Sequence, residues 1–459
     1  MKTERNLIQI SLLCAAMLQA ATSGAQPVTN ISAGDFHSLF LKSNGSLWAM
    51  GNNFYGQLGD GSNINTNRPE QIVASNVTAI AASDNQGNHS LFLKSDGSLW
   101  AMGRNDIYPA LGDGSNVNTN QPEQIVAGNV TAIAAGDFHN LFLKSDGSLW
   151  AFGFNGFGQL GDGTYTTTNR PKQIVSSNVT AIAAGEFHSL FLKGDGSLWA
   201  MGKNYSGQLG DGTASSFNTV NVPEEIVSTN VIAIAAGGNH SLFLKRDGSL
   251  WAMGNNQFGQ LGDGLYNTNG STSTLGLGTN RPQQIVTSNV TAVAAGYSHS
   301  IFLKNNGSLW VMGYNKYGQL GDGAAINTNR PEQIVSGNVR AIAGGNSHSL
   351  FLKSDGSLWA FGLNSSGQLG DGSLNPTNRP ELILGAYNQI SGRLLGSTNI
   401  QLSFVGIAGA NYALDRSSSL SPPNWLPQLT NPAGSFGALL FTNPPDPATN
   451  NFWRIRSVP

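Results

Sequence analysis

A single cysteine, Cys14, is all the sequence contains, and it sits in an apolar stretch near the N-terminus. The rest of the chain therefore has no disulfide framework, no cysteine metal ligand and no thiol nucleophile. Charge is also scarce: charged residues make up 11% of the chain and the formal net charge is −2. No basic block occurs, so the electrostatic footprint needed for nucleic acid is missing. After the N-terminal stretch no apolar run approaches the length of a membrane span. No segment sustains the period of an amphipathic helix. Low charge can accompany disorder, but 39% of the residues are hydrophobic. Trp, Phe and Leu recur at regular intervals, which is enough to build a core.

The N-terminus reads as a secretory signal over residues 1–25. Lys2 and Arg5 form a positive start, Leu7 to Ala21 is mostly apolar, and Ser23-Gly24-Ala25 offers small residues before Gln26. A secreted, periplasmic or cell-surface location is the expectation.

What the chain has in abundance is repetition. GQLGDG begins at Gly56 and recurs at Gly158, Gly207, Gly259, Gly318 and Gly367. GSLW occurs seven times, with its tryptophan at Trp48, Trp100, Trp150, Trp199, Trp251, Trp310 and Trp359. Every histidine of the protein lies eleven residues before one of these: His37, His89, His139, His188, His240, His299 and His348. The spacings are 52, 50, 49, 52, 59 and 49, so one unit of about 49 residues is written seven times.

Within the unit Asn129 to Val175, four β-like runs stand out: VTAIAAG, HNLFLK, SLWAFG and KQIV. Asp-Gly or Asn-Gly between the second and third runs predicts a type I′ hairpin, whose two central residues need positive φ. The runs are apolar on both faces, as in sheets covered on both sides. Four strands in each of seven units predict an all-β fold, a seven-bladed β-propeller spanning 28–385. The small first run fits backbones crowded around an axis. GQLGDG is then a sharp turn beside a neighbouring blade. Its glycines allow positive φ, its Leu plugs the gap, and its Gln bonds the bent backbone. A phosphate loop would need a Lys-Ser/Thr ending and a helix, and neither is present.

Gly-x-x-His-Ser/Thr, then Asp-Gly-x-x-x-x-x-Gly, Gly-Gln-Leu-Gly-x-Gly and a Pro before the last strand resembles the regulator of chromosome condensation repeat. The second copy departs from it, with Tyr108-Pro109-Ala110-Leu111 in place of the Gly-Gln-Leu phrase. The resemblance implies a seven-bladed propeller. It also implies, as one alternative, guanine-nucleotide exchange on a small GTPase. The family's exchange residues lie outside the repeat motif and cannot be carried over to this chain.

Four insertions break the period. Three extra residues precede His89 (with Asp84, Asn85 and Gln86), one lies near Tyr108, ten residues replace seven after Gly212, and seventeen replace seven after Gly264. All fall between the first and second or the third and fourth strands, which a meander places on one side. One face of the disc is thus variable in length and the other constant, and long insertions in repeat proteins map to binding faces. The loop 265–281 is the leading candidate for partner contact, with Leu265, Tyr266, Asn267, Thr268, Asn269, Thr274, Leu275, Leu277 and Arg281. The alternative is a tolerated, solvated insertion.

Seven histidines on separate blades converge only at the axis, so the expected role is structural, each bonding backbone within its blade. The seven tryptophans are read as structural too. The GDG aspartates before Asn-rich loops lack the closing bidentate Glu of a calcium site and read as turn formers. Lysines before the hairpin turns, from Lys42 to Lys353, form a rim on the constant face that nearby carboxylates are expected to neutralise. No constellation breaks the seven-fold pattern in the way a catalytic site would. The reading is therefore a non-enzymatic binding or scaffold protein, monomeric and without cofactor or metal, that presents its variable face to a protein or glycan. An extracellular hydrolase using the central pocket is a further alternative.

Beyond the repeats, 386–399 reads as a Gly/Ser/Asn-rich linker and 400–459 as a β-sandwich-like module of five short strands. Gly406, Gly409, Tyr412, Leu414, Ser417, Trp425, Phe452, Trp453 and Arg454 resemble the terminal modules of secreted bacterial proteins.

Overall fold

The computed structural model describes residues 26–84, 86–215, 217–266 and 278–385, together with six strands of the C-terminal part. The stretch read as a secretory signal lies outside the described residues. Every element is a strand. Residues 28–384 form seven four-stranded antiparallel sheets, each built from four consecutive strands in sequence order. In the first blade these are Val28–Ala33, His37–Lys42, Leu47–Gly51 and Thr66–Val73. The first strands of successive blades are neighbours around the axis, and the first strand of the chain adjoins the last blade.

The second strand shows why the runs are apolar on both faces. In HSLFLK all residues but the lysine are buried. Leu39 and Leu41 pack with Val77, Ile80, Phe92 and Met102 of the next blade, and Phe92 in turn faces back toward the first. Alternate side chains of one strand thus enter two different inter-blade cores. Each fully buried Leu or Phe contributes about 1.5–3 kcal/mol. Leu58, from the GQLGDG phrase, lies in the same layer, as its expected role as a plug requires.

The hairpin turns differ from expectation. Asn44 is absent from the positive-φ residues, whereas Gly45 has φ +74°. Gly45 N donates to Lys42 O (2.9 Å) and Lys42 N to Ser46 O (3.1 Å). This is a three-residue loop, a type I turn followed by a left-handed glycine, rather than a two-residue type I′ turn. Asn44 Oδ1 instead accepts from the Ser46 amide at 3.0 Å. Ser46 Oγ accepts from Trp48 Nε1 at 2.9 Å.

Rim lysines feel the hairpin aspartates, as Asp96 feels Lys94, but each also lies over the tryptophan of its own blade. Lys42 Nζ stands 3.7 Å above the Trp48 ring, and the corresponding Lys-Trp pairs of the other six blades measure 3.7–4.3 Å. The hairpin aspartates are turned toward serines, as Asp195 is toward Ser197. Replacing Lys193 by Met should therefore cost about 0.5–1 kcal/mol in thermal denaturation, the size of an exposed cation–π contact. A cost unchanged in an additional Trp199→Leu background would remove that account.

The histidines also bond differently from expectation. Each Nε2 reaches the next blade: His37 meets Ser90 Oγ at 2.9 Å, and Ser90 Oγ donates to Gln57 O at 2.8 Å. Because the serine hydrogen is committed to that carbonyl, His Nε2 carries the proton and Nδ1 is the bare nitrogen. In all seven histidines Nδ1 has no hydrogen-bond partner. The departure at Tyr108-Pro109-Ala110-Leu111 is matched across the seam. The third blade uses Asn140, whose Oδ1 accepts from His89 (2.8 Å) and whose Nδ2 donates to Ala110 O (2.5 Å).

The ring closes edge to edge with no exchanged strand. His348 meets Ser38 Oγ at 2.8 Å and Ser38 donates to Gln368 O, as at five of the other six seams. Gly372 N donates to Asn67 O at 2.8 Å, repeating the bond of Gly61 to Asn120. Arg340 adds a bond to Val28 O across this seam.

The C-terminal part contains two three-stranded sheets. One joins Ser391–Leu395, Asn399–Val405 and Ala438–Asn443, and the other joins Leu426–Pro432, Asn411–Ser417 and Phe452–Val458. The strand Ser391–Leu395 falls inside the stretch read as linker, where it pairs along its whole length with Asn399–Val405. Gly406, Gly409 and Trp425 lie outside the described residues.

Candidate binding face

The first-to-second and third-to-fourth connections lie on one side of the disc, joined by a backbone bond that recurs in every blade. The residue before each histidine accepts from the residue four positions after the tryptophan: Phe36 O from Asn52 N (2.7 Å), Phe138 O from Phe154 N and Phe187 O from Lys203 N (both 2.8 Å). The remaining pairs are Asn88 with Arg104, Asn239 with Asn255, Ser298 with Tyr314, and Ser347 with Leu363. The backbone is constant while the side chains change from blade to blade. This fixed frame displays groups that vary from blade to blade at its stations.

In the sector of blades two to four the groups are aromatic. Tyr108 contacts Phe154 (4.4 Å between centroids) and Phe138 (4.7 Å). Phe187 lies 5.9 Å from both Phe138 and Phe154 and 4.8 Å from Phe157, which meets Tyr205 at 5.8 Å. Six rings thus run without a break across two seams. Lys203 Nζ lies 5.2–5.7 Å from Phe187, Tyr205 and Phe157, and 3.9 Å from Glu186 Oε2. Arg104 repeats the arrangement, 4.5 Å over Tyr55 and 3.0 Å from Asp106.

Toward the axis this sector is acidic, with Asp35, Asp84, Asp137 and Glu186 on the first connections of blades one to four. Asp35 accepts from Gln86 N (2.8 Å) and Asn346 Nδ2 (2.7 Å), and burial pushes its carboxyl up to about 6. Burial also raises Glu186, against the opposing pull of Lys203 and Asn239. The Tyr297 hydroxyl is pushed up by burial and by the charges of Glu186, Asp137 and Asp84.

The outer rim is apolar. Among the described residues, eleven of the fourteen exposed large hydrophobics lie in third-to-fourth connections. They include Ile64, Phe217 (89% exposed), Ile326 (74%) and Leu374. The turns and links of the opposite face contribute none, so apolar exposure follows the face that varies in length.

Of the residues singled out from the sequence, Tyr108 belongs to the aromatic arc and Asp84 to the axial rim. Gln86, with φ +71°, caps Asp35. Leu265 and Tyr266 are exposed, and Tyr266 Oη donates to Asn327 O of the next blade at 2.7 Å. Arg281 lies against Gly212 of the preceding blade, the place taken by Arg68, Arg170, Arg330 and Arg379 at other seams. Asn85, Asn267, Thr268, Asn269, Thr274, Leu275 and Leu277 lie outside the described residues. The GDG aspartates serve their own loops: Asp60 Oδ1 accepts from Asn53 Nδ2 (2.9 Å) and Ser62 N (2.8 Å).

Phe138, Phe154, Phe157, Phe187, Lys203 and Tyr205 are missed by counting insertions, because they replace other residues without changing any length. For Phe138, Phe154, Phe187 and Lys203 the signal is identity at the two hydrogen-bonded stations, read copy against copy, and Phe157 and Tyr205 follow in the third-to-fourth connections beside them.

Comparison with known proteins agrees with this geometry. The family model of the RCC1-like domain matches residues 129–400, and regulator of chromosome condensation repeats match 28–57, 44–93 and 96–143. A bifunctional serine/threonine-protein kinase/NEDD4-like E3 ubiquitin-protein ligase of Dictyostelium discoideum is 32% identical over 308 residues, 64% of this chain and 16% of that protein. The ultraviolet-B receptor UVR8 of Arabidopsis thaliana is 29% identical over 105 residues, 22% of each protein. The chain spans about a tenth to a fifth of the length of the curated relatives it matches. Prp20p of Saccharomyces cerevisiae, described with its binding to Gsp1p and histones, superposes with TM-score 0.65 at 23% identity over 78% of this chain and 87% of that one. Human WBSCR16 gives 0.64 at 23% identity, over 76% and 96%. With a seven-bladed ring whose repeats match over more than half its length, the chain belongs to the family of RCC1-like domains.

Proposed function

We propose that this chain is a non-enzymatic binding protein, secreted or held at the cell surface, that presents the variable face of its propeller to a protein or glycan. The observation that carries this reading is the six-ring arc, built where the repeat frame is constant and its side chains are not. Structural aromatics elsewhere in the blades repeat seven times, as Phe40 on Trp48 does (6.0 Å). A shorter cluster of Phe258, Tyr314 and Tyr317 crosses the seam of blades five and six, but the six-ring arc is not repeated in every blade, so the frame does not need it. Related propellers are described in complex with proteins, Kap60 with yeast RCC1 (Prp20) among them. The Lys2–Ala25 stretch supports export.

The test is to probe glycan and peptide arrays with the purified full chain and with two variants. Ligands retained by the wild type should be lost with Phe157→Ala/Tyr205→Ala on the variable face and kept with Lys193→Met on the constant face. Ligands indifferent to the first variant, or turned over instead of held, would sink the reading.

A further inference from the structure

Resting on that reading of the variable face, we propose that the aromatic arc from Tyr108 to Tyr205 docks an arginine- or lysine-bearing segment of a protein partner, with the partly exposed Glu186 and Asp84 receiving the cationic side chains. Two features select this occupant. The first is ring geometry. Apart from Phe138 on Phe187 at 24°, the pairs of the arc meet at 48–89°. Rings tilted or set edge to face present an uneven surface, not one flat platform, which suits aliphatic stems and slender side chains. A sugar would instead require an open, flat ring face.

The second is charge complementarity. Asp84 and Glu186, both partly exposed, border the arc on its axial side, whereas Asp137 is buried, and Lys203 is the one ammonium beside Glu186. That leaves the border negative. The protein already shows how a cation is held here, since Lys203 lies over three rings beside a carboxylate and Arg104 lies over Tyr55 beside Asp106. A guanidinium from a partner would meet the same two elements, a ring face and a carboxylate oxygen. The alkyl stems of such a segment would cover the half-buried rings, as lysine and arginine stems do along apolar surface.

The experiment is fluorescence anisotropy with the full chain and labelled alternating peptides: Gly-Arg, Gly-Lys, Gly-Glu and Gly-Ser. Gly-Arg should bind at least roughly tenfold tighter than Gly-Ser or Gly-Glu, and the gap should narrow as salt screens the pairing. Phe157→Ala and Glu186→Gln should each weaken Gly-Arg by roughly tenfold. Ile326→Ser, on the same face but away from the arc, should leave it unchanged. Tyr205→Phe, which keeps the ring, should bind like the wild type and so guards against a folding artefact. Equal affinity for all four peptides, or Gly-Arg binding untouched by Phe157→Ala, overturns the proposal. A glycan captured and then lost with Phe157→Ala would also overturn it, while leaving the variable face as the binding face. Ligands that depend only on constant-face residues would overturn both.

Discussion

Acidification is expected to unfold the propeller cooperatively, with a midpoint between about pH 6 and pH 5. All seven histidines are fully buried. Burial lowers His37, His139, His188, His299 and His348 from 6.5 to about 3 and His240 to about 4, and His89 shifts the same way. In the folded ring Nε2–H is committed to a neighbour's oxygen and bare Nδ1 faces no acceptor, so a second proton has no place to go. The unfolded chain takes up these protons below about pH 6.5 and the folded chain does not until about pH 3–4. Stability is therefore complete above 6.5 and falls throughout the window beneath it. Each histidine contributes about 1.4 kcal/mol per pH unit, together roughly 10, against a total stability of order 5–15 kcal/mol. Asp35, raised to about 6, and the raised Glu186 and Glu224 act in the opposite direction, but they are three groups against seven. Tryptophan fluorescence and far-ultraviolet circular dichroism should show a single steep step, with about six to seven protons taken up on unfolding. A native spectrum held at pH 4 would contradict the account.

The second large effect is expected at the first glycine of GQLGDG, and a built-in control isolates its cause. Gly158 and Gly163 both have φ +80°. A Cβ at Gly158 would lie 2.6 Å from Asn221 Cα in the fourth strand of the next blade. A Cβ at Gly163 would meet nothing nearer than Val222 at 3.9 Å. Gly163→Ala should cost about 1 kcal/mol, the strain of the left-handed region alone. Gly158→Ala should cost about 3–4 kcal/mol, because backbone of the neighbouring blade must move as well. Equal losses in denaturant titrations would show that conformation, not the close approach, is what the first glycine serves.

The blade count, the four-strand unit, the inter-blade leucine and the bland reading of GQLGDG are all legible in the sequence, because each depends on residues within one copy. What is not legible depends on pairs between copies or between distant parts of one. The partner of His37 is Ser90, the residue after the next histidine. The His-Ser dipeptide is visible in the repeat, but its bond crosses a seam and no local pattern announces it. The substitution of Asn140 opposite Ala110 is intelligible only once that bond is known. The lysines were expected to find carboxylates by proximity in sequence, whereas cross-strand register sets Phe40 opposite Trp48 and brings the ammonium over the indole. Phe138 and Phe154 stand sixteen positions apart and share one backbone bond. Attention to length alone points to the 265–281 insertion and passes over the stations beside it.

The seam between the last and first blades repeats the His-Ser-carbonyl relay of five of the other six seams. Continuity of the chain is therefore chemically silent: a blade is held in the same way whether or not the polymer passes to its neighbour. No exchanged strand marks the beginning of the circle. Arg340, reaching to Val28 O, stands at the one junction the polypeptide does not cross. It acts as a rivet where the others have a covalent hinge.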